Sequence, residues 1–187
     1  DILCDGLYMN PVYTATSVVL VAGAYLPSAT EVESVAAAKQ QTPGAWLSVP
    51  GIVSAVFSDS FFIQDANRVA GLRVTGLHTP PRLGCRAQVV GQMTPYTRCV
   101  TIHDAQWIVY PDAPKPPAPL LMTNRNLGGA WLGRQGGVFS GVGLNNVGLL
   151  VRVTGLVTYL DPGNLAYIDD GCGLIDGNNL GEGGSPV

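Results

Sequence analysis

The chain has little charge. Only 12% of its 187 residues are Asp, Glu, Lys or Arg, about half the usual share. Two of them are lysine, Lys39 and Lys115, and the arginines are scattered from Arg68 to Arg152 against a formal net charge of −3. Phosphate backbones are gripped by clustered Lys and Arg, so nucleic acid is not an expected partner. A long apolar run is missing too. The longest, "SVVLVAGAYL" from Ser17 to Leu26, falls short of the roughly 20 residues of a bilayer span. No membrane span is expected.

The familiar catalytic signatures are also lacking. No G-x-S-x-G, P-loop or G-x-G-x-x-G occurs, and "GVGLNN" fails at its last position. No C-x-x-C occurs, which argues against a thiolate zinc site or a redox motif. His78 and His103 fall on a turn and a strand, and His103 and Asp104 cannot point the same way from one strand. Both histidines read as surface or packing residues rather than as the base of a nucleophile system. Paired carboxylates for sugar hydrolysis would need a cleft lined with aromatic groups, and aromatics are 7% of the chain. An enzyme is not expected.

What is present is apolar and turn-forming. Apolar residues make up 47%, with 24 glycines and 14 prolines. A core can be buried, and the turn residues suit an all-β protein of one or two small domains. The sequence starts at Asp1 rather than Met, consistent with a processed or trimmed chain. Four cysteines are present, Cys4, Cys85, Cys99 and Cys172. Cys85 and Cys99 flank "RAQVVGQMTPYTR", which reads as a hairpin centred near Gln92 and Met93. The expectation is two disulfides, Cys85–Cys99 and Cys4–Cys172, with free buried thiols as the alternative. Disulfides would place the protein outside the cytosol.

The chain contains a repeat. "WLSVPGIVSAVFSDSFFIQDANRVAGLRV" (Trp46 to Val74) and "LLVRVTGLVTYLDPGNLAYIDDGCGLIDG" (Leu149 to Gly177) share a pattern. Each opens on an alternating strand containing a glycine, Gly51 or Gly155. Each continues through a short turn into an aromatic-rich strand ending at Asp65 or Asp170. Period-2 alternation marks both as half-buried strands. Further strands follow the first copy: "GLRVTGL", "CRAQVVGQM" and "CVTIHDAQWIVY". Before it, "SATEVESVAAAKQQ" reads as the one helix, started by a capping box of Thr30 and Glu33. "PDAPKPPAPLLM" reads as a stiff linker. The glycine-rich "NRNLGGAWLGRQGGVFSGVGLNN" reads as a surface wrap pinned by Trp131 and Phe139. The divisions are 1–27, an N-terminal strand segment; 28–112, a first unit; 113–144, a Pro/Gly-rich linker; and 145–187, a second, partial unit.

The first unit, through "VPGIVSAV", "FFIQDANRVAGLRV" and "CRAQVVGQMTPYTRCVTI", resembles the small OB-fold-type β-barrels of bacterial extracellular and nucleic-acid-binding proteins. "RVTGLVTYLDPGNLAYIDDGCGLIDG" resembles the same module in a second copy. The resemblance implies two OB-fold-like barrels, the second lacking its closing strands, since such a barrel has five strands. The open edge is a place for strand addition. The unassigned N-terminal strand around Val18, Val19, Leu20 and Val21 would fill it, in its own chain or in the next subunit. Alternatively, strands beyond Val187 in a longer parent would close it.

The acidic turn raises a second question. Asp161, Asp169, Asp170, Asp176, Asn178, Asn179 and Glu182 crowd the end of the second copy. Asp59, Asp65 and Asn67 form a thinner set in the first. Hard cations take six to eight oxygens, so calcium is one reading. Ordinary turn chemistry is the other. Phe61, Phe62 and Tyr167 sit where OB-folds stack bases, yet alternation sends one of each neighbouring pair into the core. Arg68 and Arg73 alone supply little charge for such a platform. The leading expectation is therefore a secreted structural protein. It would form an extracellular homopolymer by β-strand complementation between subunits, stabilised by calcium. A binding module for oligosaccharide or single-stranded nucleic acid is the alternative.

Overall fold

The computed structural model describes residues 28–76, 79–94, 99–111, 113–161, 165–174 and 185–186. The expected N-terminal strand, Cys4, His78, Asp176, Asn178, Asn179 and Glu182 lie outside them. Among the described residues, no helix is long and apolar enough to cross a membrane.

The elements of the first half are β1 (Thr30–Glu31), α1 (Val35–Ala38), β2 (Trp46–Val56), β3 (Ser60–Gln64), β4 (Gly71–Thr75), β5 (Arg86–Met93) and β6 (Thr101–Val109). β2 to β6 close into a five-strand mixed barrel in the order β2-β3-β4-β6-β5-β2, with β1 as an extra strand on β2. All barrel neighbours are antiparallel except β4 and β6. The expected alternation appears plainly on β5, where Ala87, Val89, Gly91 and Met93 are buried between more open neighbours. With Leu47, Val49, Val53, Phe61, Ile63, Leu72, Val74 and Ile102 they build one core, closed at one end by Val35 and Ala38. Phe61 points inward and meets Trp107 edge-on at 4.9 Å, as the alternation requires.

β2 serves three partners. On one side, Thr30 and Glu31 run parallel to Leu47 and Ser48, and β3 pairs further along at Ile52 to Val56. The other side, from Trp46 to Ile52, carries β5. A bulge at Ser54, between the Val53↔Ile63 and Ala55↔Phe62 pairs, bends the strand around the core.

Three expectations fail here for physical reasons. The Thr30–Glu33 capping box does not form, because Thr30 is extended as part of β1; Ser34 caps the helix instead, its Oγ accepting from Ala37 N at 3.0 Å. The hairpin does not turn at Gln92 and Met93. Those residues pair with His103 and Ile102, and the strands close where Thr94 N donates to Thr101 O. Consequently Cys85 lies at the open end of the β5–β6 hairpin and Cys99 at its turn end. An eight-residue strand separates them, about 25 Å of chain, far beyond disulfide reach. Cys85, Cys99 and Cys172 are free thiols, so Cys85–Cys99 is not formed; the expected partner of Cys172, Cys4, lies outside the described residues.

The second half contains β7 (Leu120–Leu121), a 3-10 turn (Asn124–Asn126), β8 (Val151–Arg152), β9 (Leu156–Asp161), β10 (Leu165–Asp169) and β11 (Ser185–Pro186). A second closed barrel is not formed by the described residues; β9, β10 and β11 make a three-stranded sheet, and β7 pairs with β8. Yet the pairings repeat those of the first half. β7 runs parallel to β8 (Leu120↔Val151) as β1 does to β2 (Thr30↔Leu47). Val157↔Ile168, Tyr159↔Tyr167 and Leu160↔Ala166 match Val53↔Ile63, Ala55↔Phe62 and Val56↔Phe61, with the same bulge, now at Thr158. β11 meets Ile168 and Tyr167 where β4 meets Ile63 and Phe62. The repeated glycines agree as well. A side chain on Gly51 would strike Ile63, and one on Gly155 would strike Ile168.

Candidate functional site: the wrapped face and the open side

The glycine-rich segment lies against the barrel, but its aromatic residues do not hold it there. Trp131 is 66% exposed and Phe139 is 99% exposed. The fasteners are buried polar side chains. Lys39, wholly buried after α1, donates from Nζ to Val147 O at 2.8 Å, while its own carbonyl accepts from Arg134 N. Gln64 Oε1, on the outer face of β3, accepts from Leu150 N at 3.1 Å. Gln135 Oε1 accepts from Val100 N at 2.9 Å. Asn145 and Asn146 donate to the carbonyls of Ala130 and Asn126, tying the loop to itself. Burial pulls the Lys39 pKa down to about 8, against the opposing pull of Cys99 and Asp65. Sequence reasoning missed Lys39, Gln64 and Gln135. One signal was available: Lys39 lies four residues after Val35, on the helix face that packs inward.

The wrap covers one barrel face. Ser60 and Gln64 point outward from β3 yet are buried. Gly148 and Leu149 cross β4 at Gly71 so closely that any side chain there would overlap the backbone. Phe62 and Phe57 stack edge-on at 6.0 Å beside Gly148–Leu150, leaving a narrow cleft of about 290 Å³. Tyr167, by contrast, is buried against Tyr159.

Among the described residues, the candidate metal ligands do not gather. Asp65 Oδ1 and Oδ2 accept from Val35 N (2.7 Å) and Ala36 N (3.1 Å), capping α1 from 29–30 residues away. Its repeat counterpart Asp170 accepts from Asn124 N at 2.6 Å, at the start of the 3-10 turn, and from Cys172 N. Hydrogen bonds from the Cys172 thiol and then from Asn124 N–H hold the Asp170 pKa below the ordinary carboxylate value. Asp169 accepts from Gly171 N, and Asn67 from Val69 N, as local turns. Asp59 pairs with Arg73 at 3.6 Å. Asp161 ends β9. Among the described residues, no three His, Cys, Asp or Glu side chains come together as a metal set. His103 hydrogen-bonds its neighbour Asp104 at 2.8 Å, which takes a positive φ of 50°; this turns the two side chains together despite their adjacency on the strand.

Among the described residues, the open surfaces include a cleft and a sheet edge. The first is a cleft of about 450 Å³ at the end of β2 and β5, between Glu33, Ile52, Arg86 and Tyr110. The Arg86 guanidinium sits over the Tyr110 ring at 4.9 Å. The second is the side of Val151–Gly155 away from β7. In the first half the matching side of Leu47–Gly51 carries β5; among the described residues no strand pairs here. The inward positions are less covered than in the barrel: Val151 and Val153 are half-buried where Leu47 and Val49 are fully buried. Val157 is 55% exposed, whereas its counterpart Val53 is fully buried. Leu156 and Leu160 are exposed too. No protein-family model, no curated protein and no solved structure matches the chain.

Proposed function

We propose that the chain is a structural subunit of an extracellular filament or surface assembly, with two OB-fold-like units, the second completed by β-strand addition from another subunit. One observation carries this reading. Among the described residues, the second half repeats the β1–β4 pairings and leaves bare the side on which the first half carries β5. An unpaired edge beside exposed Leu156, Val157 and Leu160 is a template for a further strand. A donor from the next subunit makes a contact that repeats head to tail. The barrel order, with its parallel β4–β6 rung, supports the OB-fold reading of the first unit.

The same geometry weighs against nucleic acid. OB-folds take oligonucleotides on the face of their second and third strands, here β3 and β4, and that face lies under Gly148–Leu150. The cleft at the end of β2 and β5 favours a second reading, an oligosaccharide module. Tyr110, Arg86 and Glu33 provide an aromatic plane, a donor and an acceptor there.

Sedimentation and negative-stain electron microscopy of the native protein, with and without a calcium chelator, test the proposal. Filaments or concentration-dependent oligomers are expected. Loosening on chelation would support calcium at the acid-rich end of the second unit; indifference would leave strand pairing as the sole link. A monomer under both conditions overturns the assembly reading. Quenching of tyrosine emission by oligosaccharide in such a monomer would favour the cleft.

A further inference from the structure

We infer that the strand added to the open edge of the second unit is Val18–Tyr25 of a neighbouring copy, laid antiparallel on Leu149–Arg152 and onward to Thr154, Gly155 and Leu156, in the register of β5 on β2. This inference rests on the assembly proposed above and names its donor.

The closed barrel specifies what the missing strand must look like. β5 places Ala87, Val89, Gly91 and Met93 inward and pairs Gly51↔Ala87, Val49↔Val89 and Leu47↔Gly91. Gly91 must be glycine, since a side chain there would strike Ile102 and the His103 carbonyl. A donor that copies β5 carries small or apolar residues at its alternate inward positions, with a glycine two residues after an inward valine as at Val89 and Gly91; the β6 crowding that demands Gly91 in the barrel has no counterpart among the described residues of the second unit. In "VVLVAGAY", Val18 to Tyr25, these positions hold Val19, Val21, Gly23 and Tyr25. Superposing Gly23 on Gly91 sets Gly23 opposite Val151, Val21 opposite Val153 and Val19 opposite Gly155. The acceptor residues follow from the equivalence of Leu47, Val49 and Gly51 with Val151, Val153 and Gly155, fixed by the β1–β2 and β7–β8 pairings. In the barrel these alternate residues turn their N–H and C=O groups toward β5. The 27 residues preceding the described chain hold this pattern once. The donor belongs ahead of the first unit and the acceptor to the second, so pairing between copies propagates.

Cysteine cross-linking tests the register. The outward pair Ala22 and Arg152 corresponds to Val90↔Ser48, and directly opposed residues lie within disulfide range. The full chain would carry Ala22→Cys and Arg152→Cys, with Cys4, Cys99 and Cys172 replaced by Ser. The control carries Leu20→Cys and Arg152→Cys, on the same face but two residues out of register. Mild oxidation of the first variant should give a covalent ladder on non-reducing gels, with about ten-fold or more linked material over the control. A linked monomer without a ladder overturns donation between copies. Equal ladders, or none while native particles still assemble, overturn the register and leave assembly standing. A native protein that sediments as a monomer overturns both.

Discussion

Gly71 and Gly148 meet backbone to backbone, with no space for a methyl group on either. Gly148 also holds a φ of +87°, a region that β-branched residues avoid. Gly148→Val should lift the wrap from β4 and destabilise the protein by about 3 kcal/mol, combining backbone strain and overpacking. Gly143 has a similar φ of +78° but open space around it, so Gly143→Ala should cost only about 1 kcal/mol. Urea unfolding of the two variants measures the difference, which combines the close approach with the added strain of a β-branched side chain.

Burial of Lys39 gives stability an unusual dependence on pH. Its pKa falls from 10.5 to about 8 on folding, so between those values the unfolded chain binds more protons than the folded one. Stability therefore rises as pH increases from 8 to 10.5, by roughly 3 kcal/mol at most. Lys39→Met should flatten this rise. Unfolding midpoints across that window, wild type against variant, provide the check.

The two repeated aspartates should behave alike in kind. Asp65→Ala strips two N–H groups at the start of α1 of their acceptor and should cost about 2 kcal/mol. Asp170→Ala should loosen the 3-10 turn at Asn124, visible as faster amide exchange there. With its pKa lowered on folding, Asp170 contributes stability that is present above the ordinary value of 3.8 and is lost as pH falls through the lower folded value. Acid titration of the Asn124 amide signal reports that loss.

Cys85, Cys99 and Cys172 are free. Alkylation in denaturant without reductant, followed by mass spectrometry, should modify all three. Protection of any one would reinstate a disulfide.

Strand content and the repeat were legible because they rest on local pattern. Alternation located β2 to β6, and the spacing of Gly51, Gly155, Asp65 and Asp170 marked two copies whose bulges and pairings agree. What was not legible depends on contacts far apart in the chain. The start of α1 at Val35 is fixed partly by Asp65, which no local cap signal contains. The position of the hairpin turn follows from pairing along the whole of β5 and β6, and placing it at Gln92 and Met93, several residues short of the turn between Thr94 and Thr101, made the Cys85–Cys99 bridge look feasible. The fastening of the wrap by Lys39, Gln64 and Gln135 was hidden because polar side chains read as surface until their tertiary partners are known. Trp131 and Phe139 misled for the converse reason. As for the site, the open edge was anticipated from a strand count, whereas its backbone residues emerged only from matching the two halves.

The stretch between the two halves has the composition of a hinge, with five prolines from Pro111 to Pro119 and many glycines after them. Its attachment gives it the opposite property. Moving the second half against the first would break the bonds from Lys39 to Val147, from Gln64 to Leu150 and from Gln135 to Val100, each made by a side chain that is itself buried. The halves are thus geared together. A pull on a strand seated along Val151–Gly155 would be felt within two or three residues at Gln64 and Gly71, so tension along an assembly would run through the barrel wall rather than through a slack tether.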